Sequence, residues 1–390
     1  MIFSNISFEN LEFSLNLFNF LFFIILTVIS QHVPKSFHPP LFFVSGVYFI
    51  YHYSPISVFI LIPSFLLISY RCLVPEINGK TMIETSIWTL AWLPFFFVLE
   101  YASFDHYYFT GMFPFEILVL GFYNLGRGYC IFHEIWLKKR KYTFLEALGY
   151  FWHPPILFAG PLETLAEWTR HHRNTLLPIQ WKEGCKLLLS GALLGLIGEV
   201  LFLYATPQNL DFDKASYWQI LIYAYSVGMV VHFRLAGFIH FTRGFSTLMG
   251  YPFQKPNFYQ PYQSRSVTSF WSRWNMSVVR FAREYFFFRN FASFSRNKFL
   301  LSVFGYFLLL GLFHGLETSY ALWGAAHGIG VIAGFLYLLA KYRIPFLLHL
   351  DRNFFPSWLK RALTLIYVHL SWVFLDPNWD KVFRILFGLG

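Results

Sequence analysis

Long apolar runs alternate with short polar or proline-rich segments along most of the chain. A segment that crosses a bilayer needs about 20 mostly apolar residues. The predicted spans are Phe13–Ser30, Leu41–Tyr53, Ile56–Tyr70, Thr85–Leu99, Pro114–Trp136, Lys186–Tyr204, Trp218–Val231, Leu300–Leu316, Ala321–Leu339 and Leu363–Leu375. Several are short, and irregular backbone at membrane depth survives only where protein or a water-filled cavity covers it. The pattern therefore predicts an all-α polytopic membrane protein with re-entrant pieces.

Composition supports the same class of protein. Hydrophobic residues make up 56% of the chain, charged residues only 13%, and the mean hydropathy is +0.48. A soluble domain carries roughly a quarter charged residues. The net charge of +10 does not indicate nucleic acid, because Lys and Arg collect in loops and at helix ends, where they face lipid head groups. The basic run Leu137–Tyr142, "LKKRKY", is predicted to face the cytoplasm.

The segment Ser266–Phe288 predicts an amphipathic helix that lies at the membrane interface or caps a cavity. At about 100° per residue, one narrow stripe contains Trp271, Asn275, Val278, Val279, Ala282 and Phe286. Arg273, Arg280 and Glu284 fall near the opposite side. Asn275 is the polar exception on the apolar stripe. It is either a structural amide bonded to a neighbouring helix or a functional group.

Two histidines lie in the apolar stretch Gly311–Gly330, "GLFHGLETSYALWGAAHGIG", and each is followed by glycine. Histidine is neutral near physiological pH, which suits a general base better than a permanently charged lysine. For each of His314 and His327 two interpretations stay open: a functional residue, or an inward-facing side chain whose ring is satisfied by a carbonyl group.

The other histidines do not have the spacing of a zinc site. "HEIWL" at His133 begins like H-E-x-x-H but lacks the second histidine, and no metal is expected. His171 and His172 are predicted to lie in a charged loop and to be solvated. The stretch Phe151–Glu163, "FWHPPILFAGPLE", contains prolines that exclude one regular helix. It is either a kink between spans or a discontinuous segment that lines a cavity.

Taken in order, these motifs resemble the membrane-bound O-acyltransferase (MBOAT) family, in particular its bacterial branches for D-alanyl transfer and alginate O-acetylation. "PILFAGPL" matches the family's Pro-x4-Gly-Pro stretch, and "FWSRWNMS" its FWRRWHxS signature. "GLFHG" and "LWGAAHG" match its two histidine motifs, and "LSWVFLDPNW" a segment near the end of the alginate-type members. The resemblance covers residues 151–390. It implies about 10–12 transmembrane and re-entrant helices around a central cavity, with N-terminal transmembrane helices in 1–150 and a catalytic membrane core in 151–390, as a single integrated membrane domain.

The resemblance also assigns roles to particular residues. It implies that His314 is the catalytic base, that Asn275, 39 residues earlier, is its catalytic partner, and that His327 supports the pocket. Supporting or substrate-binding roles are expected for Trp271, Arg273, Trp274, Arg280 and Trp323. No cofactor is expected to stay bound. The acyl donor would be a thioester substrate, either acyl-CoA or the phosphopantetheine arm of an acyl carrier protein.

The implied reaction is transfer of an acetyl, D-alanyl or similar acyl group to a hydroxyl of a cell-envelope polymer. An acyl carrier protein and an extracytoplasmic protein are the implied partners, besides membrane lipids, and the bacterial cytoplasmic membrane the implied location. One departure bears on the acceptor: the surface-polymer branches usually carry His where this chain has Asn275. Asn is usual in branches that acylate lipids or peptides, so a lipid, glycolipid or peptide acceptor is the alternative. A transporter or flippase is a further alternative, although such proteins usually show related halves and none is evident here.

Overall fold

The structure, a computed structural model, is built from helices. It describes residues 17–53, 55–73, 122–157, 160–174, 178–206, 210–253, 255–287, 295–312, 314, 318–376 and 378–388, and none of these lies in a β-strand. The predicted all-α class is therefore confirmed. The described residues divide into two compact units.

The first unit comprises Asn5–Leu193 and Gly237–Lys255. Its helices are α1 (Leu17–His32), α2 (His38–Tyr53), α3 (Pro55–Leu73), α4 (Phe122–Phe132), α5 (Phe144–Phe151) and α6 (Leu165–Arg173), with the first part of α7 (Trp181–Ala205) and the last part of α8 (Tyr217–Leu248). Short turns of other helix types follow α4 (π, His133–Leu137), precede α2 (3-10, Lys35–Phe37) and precede α6 (3-10, Pro154–Ile156).

The second unit comprises Leu194–Ala236 and Pro256–Gly390. Besides the remaining parts of α7 and α8, it contains α9 (Val267–Trp271), α10 (Met276–Ala282), α11 (Arg296–Leu312), α12 (Thr318–Arg343), α13 (Pro345–Asn353), α14 (Ser357–Trp372) and α15 (Trp379–Phe387). A 3-10 turn (Pro261–Gln263) precedes α9, a π turn (Arg283–Phe287) follows α10, and a 3-10 turn (Val373–Leu375) follows α14.

The described helices agree with most of the predicted spans. By length and composition α7, α8 and α12 are apolar enough to cross a membrane, and α1 and α3 contain shorter apolar stretches. The predicted spans at Phe13–Ser30 and Pro114–Trp136 lie partly outside the described residues, and Thr85–Leu99 lies wholly outside them.

The predicted span Trp218–Val231 was too short, because α8 continues for 17 residues to Leu248. Polar side chains in this extension interrupt the apolar pattern on which the predicted span was based. They are satisfied from α7 instead: Arg234 Nη2 donates to Glu199 Oε2 over 2.6 Å, and Ser190 Oγ bonds to His240 Nδ1 at 2.7 Å. The helix can therefore stay regular although its surface is locally polar.

The predicted single helix over Ser266–Phe288 is wrong. The segment breaks into α9, a turn at residues 272–275, α10 and a π turn. The break falls at Asn275, whose backbone adopts the left-handed conformation (φ 41°, ψ 54°). Asparagine tolerates that conformation better than most residues, and the resulting turn removes the continuous stripe on which the helical-wheel argument depended.

The proline-rich stretch also interrupts the helices of the first unit. Helix α5 ends at Phe151, the 3-10 turn follows, and α6 begins only after Thr164, which caps it by accepting a hydrogen bond from the Glu167 backbone N–H. The expectation that His171 and His172 are solvated is wrong. Both lie on α6, His171 is buried, and burial lowers the pKa of the half-buried His172 to about 4. The amphipathic face of α6 packs its histidines inward, a placement that the local charge did not reveal.

A polar network joins the end of α12 to α13 and α14, with Asp351 on α13 at its centre. Asp351 on α13 accepts hydrogen bonds from Tyr337 Oη (2.9 Å) and Lys341 Nζ (3.1 Å) and pairs with Lys360 Nζ at 2.9 Å. Burial alone would raise the pKa of Asp351, but the hydrogen bonds from Lys360, Tyr337 and Lys341 outweigh it and lower the pKa to about 2. The network ties α12, α13 and α14 together.

Candidate active site

Helices α11 and α12 approach each other closely because glycines face each other at the crossing. A Cβ atom on Gly311 would collide with the Tyr320 carbonyl oxygen, and one on Gly324 with the Phe307 carbonyl oxygen. Small residues let helix backbones pack tightly in membrane proteins. The crossing brings the turn that carries His314 next to the part of α12 that carries Trp323 and His327.

His327 is fully buried in α12, and both of its ring nitrogens are hydrogen-bonded. Trp271 Nε1 donates to Nδ1 over 3.1 Å, so Nδ1 is an acceptor and the ring proton resides on Nε2. Nε2 then donates to Ser371 Oγ at 3.0 Å, and Ser371 in turn donates to the Val368 carbonyl at 2.7 Å. This chain of donors holds a neutral imidazole and joins α9, α12 and α14.

His314 has a different environment. It follows α11 in a turn in which its backbone N–H donates to the Gly311 carbonyl over 2.8 Å. Its side chain is half-buried, and no residue in the described part of the chain forms a hydrogen bond with its ring nitrogens. Its ring meets Trp323 edge-to-face at a centroid distance of 5.2 Å. Of the two histidines, His314 therefore has the imidazole that can take up a proton from a substrate.

Trp323 connects the two histidines. Its ring lies 5.2 Å from that of His314 and 4.7 Å from that of His327. Trp271 packs against it from α9 (5.9 Å) and Trp372 from α14 (5.8 Å). Trp274 joins the same cluster through Trp372 at 5.0 Å. The structure thus brings together five residues that the sequence had selected: Trp271, Trp274, Trp323, His314 and His327.

Asn275 lies at the junction of α9 and α10. Its Oδ1 accepts hydrogen bonds from Asn257 Nδ2 (2.9 Å) and Ser277 Oγ (3.4 Å). Asn257 holds the same junction through its own oxygens, which accept from the backbone N–H groups of Met276 (2.7 Å) and Ser277 (3.0 Å). With Oδ1 fixed as the acceptor end, Nδ2 is the donor end of the amide. A catalytic role beside His314 remains a prediction.

The basic residues on this segment are at least partly accessible. Arg273 and Arg280 are half-buried, and the Arg273 guanidinium lies 5.7 Å from the centre of the Tyr259 ring. Their predicted role in binding the donor stays a prediction.

Sequence reasoning missed three residues that build the site: Asn257, Ser371 and Trp372. Two of them lie in "HLSW", within the predicted span Leu363–Leu375, where Thr364, His369 and Ser371 interrupt the apolar pattern, and that interruption was the available signal. For metals, no group of three or more His, Cys, Asp or Glu side chains in the described ranges is close enough to hold an ion.

The first unit has a separate cluster of histidines around Tyr251. His38 Nε2 donates to the Ser30 carbonyl over 2.8 Å, so its Nδ1 accepts from Tyr251 Oη at 3.1 Å. Tyr251 Oη can then accept from His172 Nδ1, also at 3.1 Å. Trp168 stacks on Tyr251 with a centroid distance of 5.0 Å. This cluster stabilises α2 and α6 through a directed series of hydrogen bonds.

Together, the apolar helices, the close glycine crossing and the histidines within the membrane body define a polytopic membrane protein with a histidine-centred site. Residues 135–369, more than half of the chain, match the model of MBOAT, the membrane-bound O-acyltransferase family. The chain belongs to this family, and the resemblance inferred from its motifs is confirmed.

Several curated proteins are similar to parts of the chain. The teichoic acid D-alanyltransferase of Bacillus subtilis (strain 168) is 32% identical over 149 residues, which cover 36% of this chain and 33% of that protein. The probable alginate O-acetylase AlgI of Pseudomonas fluorescens is 28% identical over 236 residues, covering 56% and 42%. The peptidoglycan O-acetyltransferase of Helicobacter pylori (strain ATCC 700392 / 26695) is 26% identical over 205 residues, covering 50% and 37%. The matches thus span about a third to two fifths of these relatives' lengths.

Proposed function

We propose that this protein is a membrane-embedded O-acyltransferase that moves an acetyl, D-alanyl or similar acyl group from a thioester to a hydroxyl of a cell-envelope polymer or glycan. The observation that carries the proposal is the contrast between the two histidines. Both ring nitrogens of His327 are hydrogen-bonded to protein groups, whereas the ring nitrogens of His314 have no hydrogen-bond partner among the described residues. Three relatives named for transfer to teichoic acid, alginate and peptidoglycan support the class of acceptor.

In the proposed reaction, the hydroxyl oxygen of the acceptor attacks the thioester carbonyl while a ring nitrogen of His314 takes the hydroxyl proton. The C–S bond then breaks, the ester forms, and the departing thiolate takes the proton back from His314. The Nδ2 end of Asn275 donates a hydrogen bond to the developing oxyanion. The aromatic wall of Trp271, Trp274 and Trp323 keeps water away from the thioester.

The donor is acyl-CoA or an acylated carrier protein that approaches from the cytoplasmic side, and an extracytoplasmic protein completes transfer to the polymer. Arg273 and Arg280 are suited to attract a phosphate-bearing donor, because both are partly accessible. The location that follows is the bacterial cytoplasmic membrane. Asn275 favours one second candidate, acylation of a lipid, glycolipid or peptide by the same chemistry, because the polymer-acylating branches usually carry His there.

The test is the content of alkali-labile acyl esters in the cell envelope, identified by mass spectrometry. Cells that express wild type, His314→Gln or no protein are compared at matched membrane levels, and the polymer and lipid fractions are analysed separately. We expect esters in the polymer fraction of the wild type alone. Esters confined to the lipid fraction would favour the second candidate, and identical profiles in all three cell lines would contradict acyl transfer to the envelope.

A further inference from the structure

An arginine in the interior of the first unit has donors without acceptors. Arg127 on α4 is 1% exposed. Its Nη2 donates to Asn124 Oδ1 and to the Leu157 carbonyl (3.3 Å). Nε and Nη1 are enclosed by protein and have no hydrogen-bond partner. Because arginine carries five N–H donors, three of them stay unsatisfied.

The positive charge of Arg127 is likewise uncompensated. No carboxylate in the described ranges forms an ion pair with it, and its guanidinium lies 5.7 Å from the centre of the Phe151 ring. A second buried arginine provides the comparison: Arg234, 3% exposed, pairs with Glu199 at 2.6 Å. A buried charge without a partner is among the costliest features that a protein interior can hold. A countercharge for Arg127 is therefore expected from outside the described residues.

A polar framework around Arg127 is already built. The Leu157 carbonyl, at the end of the proline-rich 3-10 turn, also accepts a hydrogen bond from Asn124 Nδ2 at 2.8 Å. Asn124 and Leu157 thereby hold one edge of the guanidinium in place. The orientation of the charged group is fixed although most of its donors are unused, which is the arrangement of a preorganised anion site.

A buried imidazole nearby adds an acceptor. The Ser246 hydroxyl donates to the Tyr251 carbonyl (2.8 Å), so His153 Nε2 must donate to Ser246 Oγ (2.9 Å). His153 Nδ1 then carries a lone pair that can accept a hydrogen bond, and this atom is enclosed by protein and has no hydrogen-bond partner. The Arg127 guanidinium contacts Phe151 and the Leu157 carbonyl, which flank His153 in the chain. An anion that both accepts and donates hydrogen bonds satisfies Arg127 and His153 together, and a carboxylate cannot donate one.

We propose that Arg127 anchors a binding site for a phosphate group, with His153 Nδ1 accepting from a protonated phosphate oxygen. The phosphate is either free or part of a lipid head group. The site is independent of His314 and of the proposed acyl transfer.

The test is the thermal stability of the purified full chain in a neutral detergent, followed by tryptophan fluorescence. Without ligand, Arg127→Met removes an unpaired buried charge and is expected to raise Tm. Arg234→Met is the matched control: it leaves the half-buried Glu199 without its ion-pair partner and is expected to lower Tm. Inorganic phosphate is expected to raise the Tm of the wild type, by about 3 °C or more near saturation, and not that of Arg127→Met. Sodium chloride at equal ionic strength controls for screening.

Mixed micelles that contain phosphatidylglycerol distinguish the two sources. Stabilisation by this lipid but not by inorganic phosphate assigns the site to a lipid head group, and the reverse assigns it to a free phosphate. Arg127→Lys, which keeps the charge but loses the fork of donors, is expected to respond more weakly than the wild type. The proposal is overturned if Arg127→Met lowers Tm or fails to fold, as a paired structural arginine would. It is also overturned if neither form of phosphate shifts the Tm of the wild type.

Discussion

Conservative substitution should affect the two histidines of the candidate site in opposite ways. His327→Gln keeps a donor near the position of Nε2 for Ser371 but loses the Nδ1 acceptor for Trp271. His314→Gln removes an imidazole that has no hydrogen-bond partner among the described residues. We therefore expect the first change to reduce stability with a moderate effect on acyl transfer. The second should abolish acyl transfer with little effect on stability.

The expected magnitudes follow from the hydrogen bonds. A hydrogen bond between helices in a membrane protein contributes about 0.6 kcal/mol on average and up to about 1.7 kcal/mol. His327→Gln loses one of the two hydrogen bonds of this side chain, the one from Trp271. His327→Ala loses both and leaves a cavity that costs about 2–5 kcal/mol, so about 3–8 kcal/mol in all. Alanine at position 327 therefore tests folding more than chemistry. Loss of a general base costs about 10²–10⁴-fold in rate.

The assay measures acyl esters formed per folded protein, together with Tm in detergent. His314→Gln is expected to lower ester formation at least about 100-fold at an unchanged Tm. His327→Gln is expected to lower Tm while losing less than about tenfold in ester formation. The assignment of His314 as base is refuted if His327→Gln folds with a wild-type Tm and is inactive while His314→Gln remains active.

Three further predictions concern the neighbouring structure. Gly311→Ala should lower Tm, because its Cβ would collide with a carbonyl oxygen of α12 and overpacking costs about 1–3 kcal/mol. Gly305→Ala is the control: its Cβ would meet no atom within 4 Å, so the variant should be as stable as the wild type or more stable. Equal effects of the two substitutions would contradict the close crossing. Asn275→Gly and Asn275→Ala should both reduce ester formation and lose the hydrogen bonds to Oδ1, but alanine should be less stable than glycine by about 1–2 kcal/mol of left-handed strain, and equal Tm values of the two variants would argue against that strain. The pKa of Asp351 is lowered to about 2 in the folded protein, so its carboxylate contributes stability above the unfolded pKa of about 4, and this contribution is lost as the pH falls from about 4 to 2. The Tm of Asp351→Asn should lack this pH dependence. Parallel Tm–pH curves of the wild type and Asp351→Asn would contradict the prediction.

The class of the protein and most of its described helices could be predicted from the sequence, because a span's apolar composition is a local property. The prediction failed where polar residues inside a helix are satisfied from another helix. Arg234 and His240 on α8 interrupt the apolar pattern beyond the predicted span, but Glu199 and Ser190 on α7 form hydrogen bonds with them. It failed again at Asn275, because one left-handed residue breaks a helix whose flanking residues all fit a helical pattern.

The sequence by itself determined that two histidines lie in an apolar stretch, that each is followed by glycine, and that the motifs around them resemble the MBOAT family. It did not determine which of the two imidazoles has its nitrogens bound by other described residues, because both histidines occupy the same kind of local sequence. That was decided by Trp271 and Ser371, which lie 56 and 44 residues from His327 and bind both of its nitrogens. Hydrogen bonds between distant residues depend on how the helices pack, and only the tertiary structure specifies that packing.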